Sequence, residues 1–327
     1  MDNYLNMSTP LVSVILPIYN AELYVRESIQ SVLNQSFSDF ELIVINDGST
    51  DSSEKVILEF LDERIKYVKN EANLKLIDTL NLGLKLAQGK YIARIDADDI
   101  SFLDRFEKQI SFLDKNPDYG IVGSFAECFG DTNEIIKYVE EDLDIRCALL
   151  THNPFIHSTI MVRSLVLREN NLLYKKDQLH VEDYGLWIQM LAFTKAKIIP
   201  ECLIKYRVHE NQISTVYREL QKLNTENLQR AYFMSVFKGI SNLDEMYSIF
   251  YDQFFIEQII LFLKNYKKIK LSLSNEVQKR VFHLIATKAR DIYLTKEKVG
   301  LKELFSTILF NDFFTMKQKL FLTFRLF

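Results

Sequence analysis

The sequence predicts an α/β fold, a mostly parallel sheet with helices on both faces, followed by a helical C-terminal extension. Short apolar runs alternate with helical segments through the first hundred residues, the pattern of parallel strands joined by crossover helices. Polar segments follow three of these strands, and the carboxyl ends of strands in such sheets hold ligands. From about residue 216 onward the pattern is helical.

Four buried strands are predicted first, over Val12–Ile18, Phe40–Ile45, Ile65–Lys69 and Tyr91–Ile95. The helices between them are expected over Asn20–Asn34 with Asn20 as N-cap, Ser52–Leu61, and Lys75–Gln88 ending at Gly89. Further helices are expected over Asp104–Asn116, Asp142–Leu150 and Glu182–Phe193. Strand-like segments are Ile121–Phe129, Ile135–Val139, the second half of Pro154–Val162, and Ile198–Tyr206, with a polar loop over Arg207–Ser214.

Composition narrows the class of protein. Cys128, Cys147 and Cys202 are odd in number and widely spaced, which fits neither a zinc site nor a disulfide framework. The first residues are polar and carry Asp2, unlike a signal peptide, and no apolar run reaches the length that spans a bilayer. With only 9 glycines, a glycine-rich phosphate loop is not expected. We therefore expect a cytoplasmic protein.

Three acids, Asp96, Asp98 and Asp99, follow the fourth strand directly. Asp96 and Asp98 are two positions apart, so on an extended backbone they point to the same side. Oxygen ligands at the end of such a strand suit a divalent cation that also holds phosphate groups. The alternative is a structural turn in which Asp99 and Asp104 cap a helix that begins near Phe102.

Charge is unevenly distributed along the chain. Residues 221–327 contain 17 Lys and Arg against 10 Asp and Glu, whereas the rest contains 23 against 34. The basic, aromatic tail has two interpretations. Its apolar stripe faces its own core, or it lies on anionic lipid at the inner face of the plasma membrane. Nucleic-acid binding is not supported, because no recognisable module is present.

Six motifs resemble those of the family 2 glycosyltransferases, which have the Rossmann-like GT-A fold. They are Val12–Asn20, Glu41–Asp51, Gly89–Asp99, Asn153–Thr159, Glu182–Trp187 and Tyr206–His209. Six motifs in the same order are far more specific than any one of them. The resemblance is greatest to bacterial enzymes that build surface polysaccharides such as capsules. It implies a catalytic GT-A domain over residues 1–215 and a helical region over 216–327 that docks on a membrane or a partner.

The resemblance implies a nucleotide site at the ends of the first two strands. Pro17, Tyr19, Asn20 and Glu22 are assigned to the nucleotide neighbourhood, and Asp47 to the uracil or other base. A carboxylate accepts a hydrogen bond from a ring N–H, so the chemistry of Asp47 agrees with this role. The alternative for Asp47 is an Asx-turn before the glycine that follows it.

Asp96 and Asp98 resemble the family's Asp-x-Asp pair, which implies Asp98 as a direct metal ligand and Asp96 as a contact to ribose or metal. Mg²⁺ or Mn²⁺ would bridge the diphosphate and neutralise the leaving group. His209 is implied to complete the metal or diphosphate site, with Arg207 closing beside it over the phosphates. The alternative for His209 is an ordinary surface histidine.

Asp183 matches the family's catalytic base, which takes the proton of the acceptor hydroxyl in a single inverting displacement. No general acid is required, because a metal-bound diphosphate is a good leaving group. Glu182 is the second candidate for the base, and the alternative for both acids is the preference of acids for the first turn of a helix. His157 and His152 are candidates for the acceptor side.

The chain lacks the Gln-x-x-Arg-Trp motif and the membrane spans of processive synthases, which indicates a non-processive enzyme. A UDP-sugar is the implied donor, and a glycan or lipid-linked saccharide the acceptor. A nicotinamide dehydrogenase is excluded, because no Gly-x-Gly-x-x-Gly follows the first strand. A nucleotidyltransferase would use a basic, glycine-rich phosphate loop that is missing. The remaining alternative is a catalytically silent nucleotide-sugar-binding module that serves a partner enzyme.

Overall fold

A computed structural model describes residues 9–210, 212 and 216–236 of the chain. The chain divides into two compact units, residues 1–228 and 229–327, and only the first few residues of the second unit are described. Most of the predicted helical region 216–327, including the predicted membrane-docking tail, lies outside the described residues. The boundary at 215/216 stays a prediction.

The first unit is an α/β fold built on a nine-stranded sheet. Its strands are β1 Val12–Ile18, β2 Phe40–Asn46, β3 Ile65–Lys69, β4 Tyr91–Arg94, β5 Ile100–Ser101, β6 Tyr119–Gly130, β7 Ile135–Ile136, β8 Met161–Arg163 and β9 Lys195–Val208. The order across the sheet is β3-β2-β1-β4-β8-β6-β9-β5, and β7 pairs with β6. The long ladders are all parallel, whereas the antiparallel pairings are short. The predicted mostly parallel sheet is confirmed.

The helices cover both faces of the sheet. They are α1 Val25–Leu33, α2 Ser53–Ile57, α3 Leu76–Leu86, α4 Arg105–Lys115, α5 Asp142–Ala148, α6 Ser164–Glu169, α7 Glu182–Met190 and α8 Arg218–Val236. Leu16 of β1 lies in one hydrophobic cluster with Ile29 of α1 and Phe106 of α4. The adjacent Ile15 points the other way, toward α3, where its side chain fills the space that a Cβ on Gly83 would occupy. This alternation along one buried strand is what a two-sided α/β sheet requires.

Helix α1 begins at Val25, so the prediction of Asn20 as its N-cap is wrong. Asn20 has a left-handed backbone with φ of 49°, and its side-chain oxygen accepts a hydrogen bond from Thr50 N–H at 2.8 Å. The Asn20 side chain therefore hydrogen-bonds the loop after β2 and does not cap α1. Helix α3 ends at Leu86, earlier than predicted, because Gly89 N–H donates to the Ser13 hydroxyl at 2.8 Å instead of continuing the helix.

Other element ends also differ from the sequence prediction. Helices α2 and α7 are shorter than expected, and β5 and α6 were not predicted. Strand β9 runs on to Val208, so Arg207 lies in a strand that pairs with β6 and not in a polar loop. The segment before β8 contains a 3₁₀ turn over His157–Thr159. None of the helices in the described part of the chain combines the length and hydrophobicity needed to cross a bilayer.

Candidate active site

The acids that follow β4 form a tight turn in which three carboxylates converge. Asp96, Asp98 and Asp99 each offer an oxygen, and these oxygens lie within 4.8 Å of one another. Strand β4 ends at Arg94, and Asp99 N–H donates to the Asp96 carbonyl at 3.3 Å. The prediction that Asp96 and Asp98 share one side of an extended strand is therefore wrong. A turn brings the carboxylates together.

Asp96 is held by a buried arginine. Both Asp96 oxygens accept hydrogen bonds from the guanidinium of Arg94, the last residue of β4, which is only 5% exposed. The Ser158 hydroxyl donates to Asp96 Oδ2 at 3.0 Å and accepts from Asp96 N–H at 3.0 Å. A bidentate Arg–carboxylate pair fixes both the charge and the orientation of the acid.

Asp98 faces a histidine. Its Oδ2 lies 3.0 Å from His209 Nε2, and the imidazole packs on the ring of Tyr24 with centroids 5.3 Å apart. Burial raises the pKa of Asp98, and the neighbouring Asp96 carboxylate raises it further. The surface-histidine alternative is wrong for His209, because the imidazole is largely buried against the acidic turn.

Asp99 is fully buried, and its Oδ1 accepts a hydrogen bond from Arg207 N–H at 2.9 Å. Burial raises its pKa well above the ordinary range, and the charges of Asp96 and Asp98 add to this. Asp104 precedes α4, but its side chain makes no capping hydrogen bond and pairs with Lys108 instead. The helix-capping alternative for the acidic turn is therefore wrong.

Arg207 holds the turn in place from the other side. Its Nε donates to the Asp98 carbonyl at 2.9 Å, and its terminal nitrogen pairs with Glu27 of α1. The guanidinium lies between the rings of Tyr24 and Phe129, at 4.5 and 4.3 Å from their centroids. Closure of Arg207 over phosphates would require it to leave these contacts, so its assignment to the donor stays a prediction.

Asp47, predicted to face the base, lies at the end of β2 and is 4% exposed. Its carboxylate accepts hydrogen bonds from Asn70 Nδ2 at 2.7 Å, Leu74 N–H at 2.9 Å and Lys75 N–H at 3.0 Å. The Asx-turn alternative for Asp47 is wrong. Ser49 N–H donates to the side chain of Asn46, so the side chain that accepts from this loop is that of Asn46. Asp47 organises the loop before α3, and contact with a base stays a prediction.

The other predicted nucleotide residues cluster at the ends of β1 and β2. Pro17 is buried within β1, whereas Tyr19 is half exposed. Glu22 is exposed, and its carboxylate accepts a hydrogen bond from Ser52 N–H at 2.8 Å. Asn20 makes the similar contact described above. The two loops are therefore tied into one rim beside the acidic turn, as parallel neighbouring strands require.

Asp183 and Glu182 open α7. Asp183 Oδ2 accepts a hydrogen bond from Asn153 Nδ2 at 2.8 Å, and Oδ1 accepts one from Tyr184 N–H at 2.7 Å. Burial raises the pKa of Asp183, and the charge of Asp96 adds a smaller increase. Burial and the Asp183 charge raise the pKa of Glu182 to about 7.

Replacement of Glu182 by glutamine should stabilise the protein at neutral and alkaline pH. A carboxyl with a folded-state pKa of about 7 and an ordinary value of 4.5 favours the folded state only when protonated. Its contribution is present below pH 4.5 and is lost as the pH rises through about 7. We expect Glu182→Gln to raise the free energy of unfolding by about 1–3 kcal/mol above pH 7. Urea unfolding across the pH range measures it, and an equal difference at every pH would contradict it.

The acidic turn fits a divalent cation. Asp99 Oδ2 and His209 Nδ1 are buried and make no hydrogen bond among the described residues, which is rare for buried polar atoms. Carboxylate oxygens with one imidazole nitrogen form a donor set that suits Mn²⁺, and oxygens alone suit Mg²⁺. Asp96, Asp98 and Asp99 are the acids whose oxygens converge, and His209 lies beside Asp98. These residues would hold the ion; Asp96 also pairs with Arg94, and its assignment to ribose or metal stays a prediction.

Sequence reasoning missed three residues of this site, Arg94, Asn153 and Ser158. One signal for Arg94 was available: a cation inside a buried apolar strand must be paired, and Asp96 is the nearest acid in the sequence. Of the two histidines proposed for the acceptor side, His157 bonds the Tyr174 hydroxyl at 2.9 Å. His152 Nδ1 lies 3.0 Å from the Thr151 hydroxyl. The acceptor-side role of both histidines stays a prediction.

Comparison with known sequences identifies relatives over the described unit. The family model described as Glycosyl transferase family 2 matches residues 13–187. An uncharacterized glycosyltransferase of Haemophilus influenzae is 40% identical over 234 residues, which cover 68% of this chain and 72% of that protein. The UDP-Glc:alpha-D-GlcNAc-diphosphoundecaprenol beta-1,3-glucosyltransferase WfgD of Escherichia coli is 33% identical over 227 residues, covering 68% of this chain and 85% of WfgD.

Solved structures share the fold. TarS of S. aureus, residues 1–349 in complex with UDP-GlcNAc, superposes with a TM-score of 0.59 at 17% identity and covers 85% of this chain and 80% of its own. The mannosyltransferase PcManGT of Pyrobaculum calidifontis, in complex with GDP-Man and Mn²⁺, gives a TM-score of 0.54 at 16% identity, covering 88% and 81%. At these identities the similarity concerns the fold alone.

Proposed function

Because this chain belongs to glycosyl transferase family 2 and has the GT-A fold, we propose that it is an inverting, metal-dependent, non-processive enzyme. The donor is a nucleoside diphosphate sugar, specifically a UDP-sugar. The acceptor is a glycan or lipid-linked saccharide of bacterial surface polysaccharide synthesis, such as that of a capsule. The reaction takes place in the cytoplasm, with the enzyme at the inner face of the plasma membrane.

One observation carries the proposal: one short segment, residues 153–158, hydrogen-bonds two separate groups of carboxylates, through Ser158 to Asp96 at 3.0 Å and through Asn153 to Asp183 at 2.8 Å. The first is the turn that contains Asp98 and Asp99, with His209 beside it. The second is the pair Glu182 and Asp183 at the start of α7. A transferase requires this division, since one group neutralises a leaving diphosphate and the other removes a proton from the attacking hydroxyl.

In the proposed reaction the acceptor oxygen attacks the anomeric carbon from the side opposite the diphosphate. The new C–O bond forms as the bond to the diphosphate oxygen breaks, and the nucleoside diphosphate departs with that electron pair. Asp183 takes the acceptor proton on a carboxylate that Asn153 and Tyr184 N–H orient. Mn²⁺ or Mg²⁺, when bound, supplies positive charge for the leaving group.

The choice of donor and acceptor is supported by what the related proteins are named for. WfgD is named for UDP-Glc as donor and for a GlcNAc-diphosphoundecaprenol acceptor, and TarS is in complex with UDP-GlcNAc. PcManGT is in complex with GDP-Man and Mn²⁺, which supports a divalent metal. Docking of the basic tail on anionic lipid stays a prediction, since its residues lie outside the described ones.

Product analysis tests the proposal. The protein is incubated with Mn²⁺, an undecaprenyl-diphosphate saccharide and, in turn, UDP-Glc, UDP-GlcNAc and GDP-Man, and the product is examined by mass spectrometry and NMR. We expect one sugar added per acceptor from a UDP-sugar, with the anomeric configuration opposite to that of the donor. Retained configuration or repeated addition would contradict the proposed mechanism. Nucleotide-sugar binding without transfer would favour the silent module.

A further inference from the structure

We propose that residues 153–158 form a rigid bridge that aligns the catalytic base with the donor-side carboxylate, and that Asn153 and Ser158 are the positioning residues at its two ends. This inference rests on the proposed function, because it assigns Asp183 and Asp96 to the two sides of one reaction. It adds two residues to the enzyme's machinery that act through others and do not themselves touch the reacting atoms.

The first end of the bridge is Asn153, which orients Asp183. Its Nδ2 donates to Asp183 Oδ2 at 2.8 Å, and its Oδ1 accepts from Phe155 N–H at 3.1 Å. The second contact fixes which way the amide faces, since only an oxygen can accept from a backbone N–H. The NH₂ group is therefore presented to the base. With Tyr184 N–H on Oδ1, both oxygens of Asp183 are directed by donors.

The second end is Ser158, which is fully buried and touches Asp96 twice. Its hydroxyl donates to Asp96 Oδ2 and accepts from Asp96 N–H, each at 3.0 Å. The serine thus fixes the carboxylate and the backbone of the same residue. Arg94 also donates to both Asp96 oxygens, so the arginine and the serine together hold the carboxylate in one orientation.

The residues between the two ends are held firmly. Phe155 is buried and packs edge-on against Trp187 of α7, with ring centroids 5.9 Å apart. His157 bonds the hydroxyl of Tyr174 at 2.9 Å. Thr159 N–H donates to the Ile156 carbonyl at 2.9 Å and closes the 3₁₀ turn. If these contacts make the segment move as one body, a displacement of one end shifts the other, which the double variant below tests.

The surroundings of Asp183 make its hydrogen bond to Asn153 consequential. Besides Glu182 on its own helix, the charged and titratable groups that act on it are Tyr138, Tyr174, Arg94 and Asp96. Asn153 is the side chain that donates a hydrogen bond to its carboxylate. Loss of a donor to an ionised carboxylate raises its pKa and frees its rotamer.

Steady-state kinetics with the full chain tests the bridge. We expect Asn153→Ala to lower kcat by roughly 10- to 100-fold with little change in the donor KM, because a misplaced base slows the chemical step. Asn153→Asp keeps the acceptor for Phe155 N–H, removes the donor and places a second carboxylate beside Asp183, so it should lower kcat at least as much as Asn153→Ala. Ser158→Ala should raise the donor KM by about 10-fold, as loss of an outer-shell partner does, and Ser158→Thr should restore it.

Two controls and a double variant separate positioning from general destabilisation. Asn170 and Ser164 make comparable side-chain hydrogen bonds to the Val166 and Lys90 carbonyls, each at 2.9 Å, away from the acids. Asn170→Ala and Ser164→Ala should therefore retain both constants. If the bridge is rigid, the double variant Asn153→Ala with Ser158→Ala should lower kcat/KM by less than the product of the two single-variant losses in kcat/KM. Fully multiplicative losses would overturn the bridge.

A readout without substrate keeps this inference distinct from the proposed function. The titration of Asp183, followed by carboxyl ¹³C NMR, should move to higher pH in Asn153→Ala and Asn153→Asp relative to the unmodified protein. An unchanged Asp183 titration in both variants would overturn the positioning role of Asn153. If the titration moves but the unmodified protein transfers no sugar, the proposed function fails and the contact stands.

Discussion

Asp183→Asn is expected to lower kcat by about 10²- to 10⁴-fold, the range that a positioned general base contributes, while donor affinity stays almost unchanged. The amide has the same shape and keeps its carbonyl oxygen for Tyr184 N–H, but its NH₂ faces the Asn153 NH₂ and it cannot take the acceptor proton. Single-turnover kinetics measures the chemical step, and calorimetric titration measures donor binding.

Glu182→Gln is the matched control for Asp183→Asn, because it changes the adjacent carboxyl in the same helical turn. We expect it to lose far less activity, since the resemblance assigns the base to Asp183. If the two variants lose kcat equally, or if Glu182→Gln loses more, then Glu182 is the base. Donor binding with no turnover in the unmodified protein would instead support the silent nucleotide-sugar-binding module.

Asp98→Ala is expected to weaken Mn²⁺-dependent donor binding by more than about 100-fold. Outer-shell partners of a metal typically cost 10- to 100-fold in affinity, and a direct ligand costs more. The same substitution leaves His209 Nε2 without its carboxylate partner. Calorimetric titration of the UDP-sugar in the presence of Mn²⁺ measures the loss.

Asp104→Ala is the control for Asp98→Ala, because Asp104 is an acid outside the acidic turn whose side chain pairs with Lys108 of α4. It should bind the donor like the unmodified protein.

The metal-free protein offers a second test. Since burial and Asp96 raise the pKa of Asp98, Asp98→Asn should stabilise the metal-free protein at neutral pH. Equal donor affinity in Asp98→Ala would remove Asp98 from the site.

The first four strands and their parallel direction were predictable, because a strand buried on both faces must be apolar at every position. Strand β1 is such a run and is buried throughout. The helix ends were not predictable, since they depend on side chains far away in the sequence. Gly89 does not end a helix, because its N–H donates to the Ser13 hydroxyl. Asn20 does not cap a helix, because its side-chain oxygen accepts from Thr50 N–H.

The acidic turn was predictable as a cluster and not as a geometry. Three acids at a strand end indicate that a positive group binds there. Their convergence was predicted from the alternation of side chains along an extended strand, whereas the structure has a turn at this point. The hydrogen bonds of Asn153 to Asp183 and of Ser158 to Asp96 join residues that are distant in the sequence, so they depend on the tertiary fold. Asn153 and Ser158 both lie in the motif Asn153–Thr159, but the motif does not indicate their partners, because asparagine and serine occur in turns of every kind.

The most direct test is calorimetric titration of UDP, GDP and NAD into the purified protein, each with and without Mn²⁺. A transferase of the proposed kind binds UDP, requires Mn²⁺ for that binding, and ignores NAD, because the carboxylates of the acidic turn repel a diphosphate until a cation lies between them. Binding of UDP that is equally strong without Mn²⁺, or no binding of any nucleotide in its presence, would contradict a metal-dependent nucleotide-sugar site at the acidic turn.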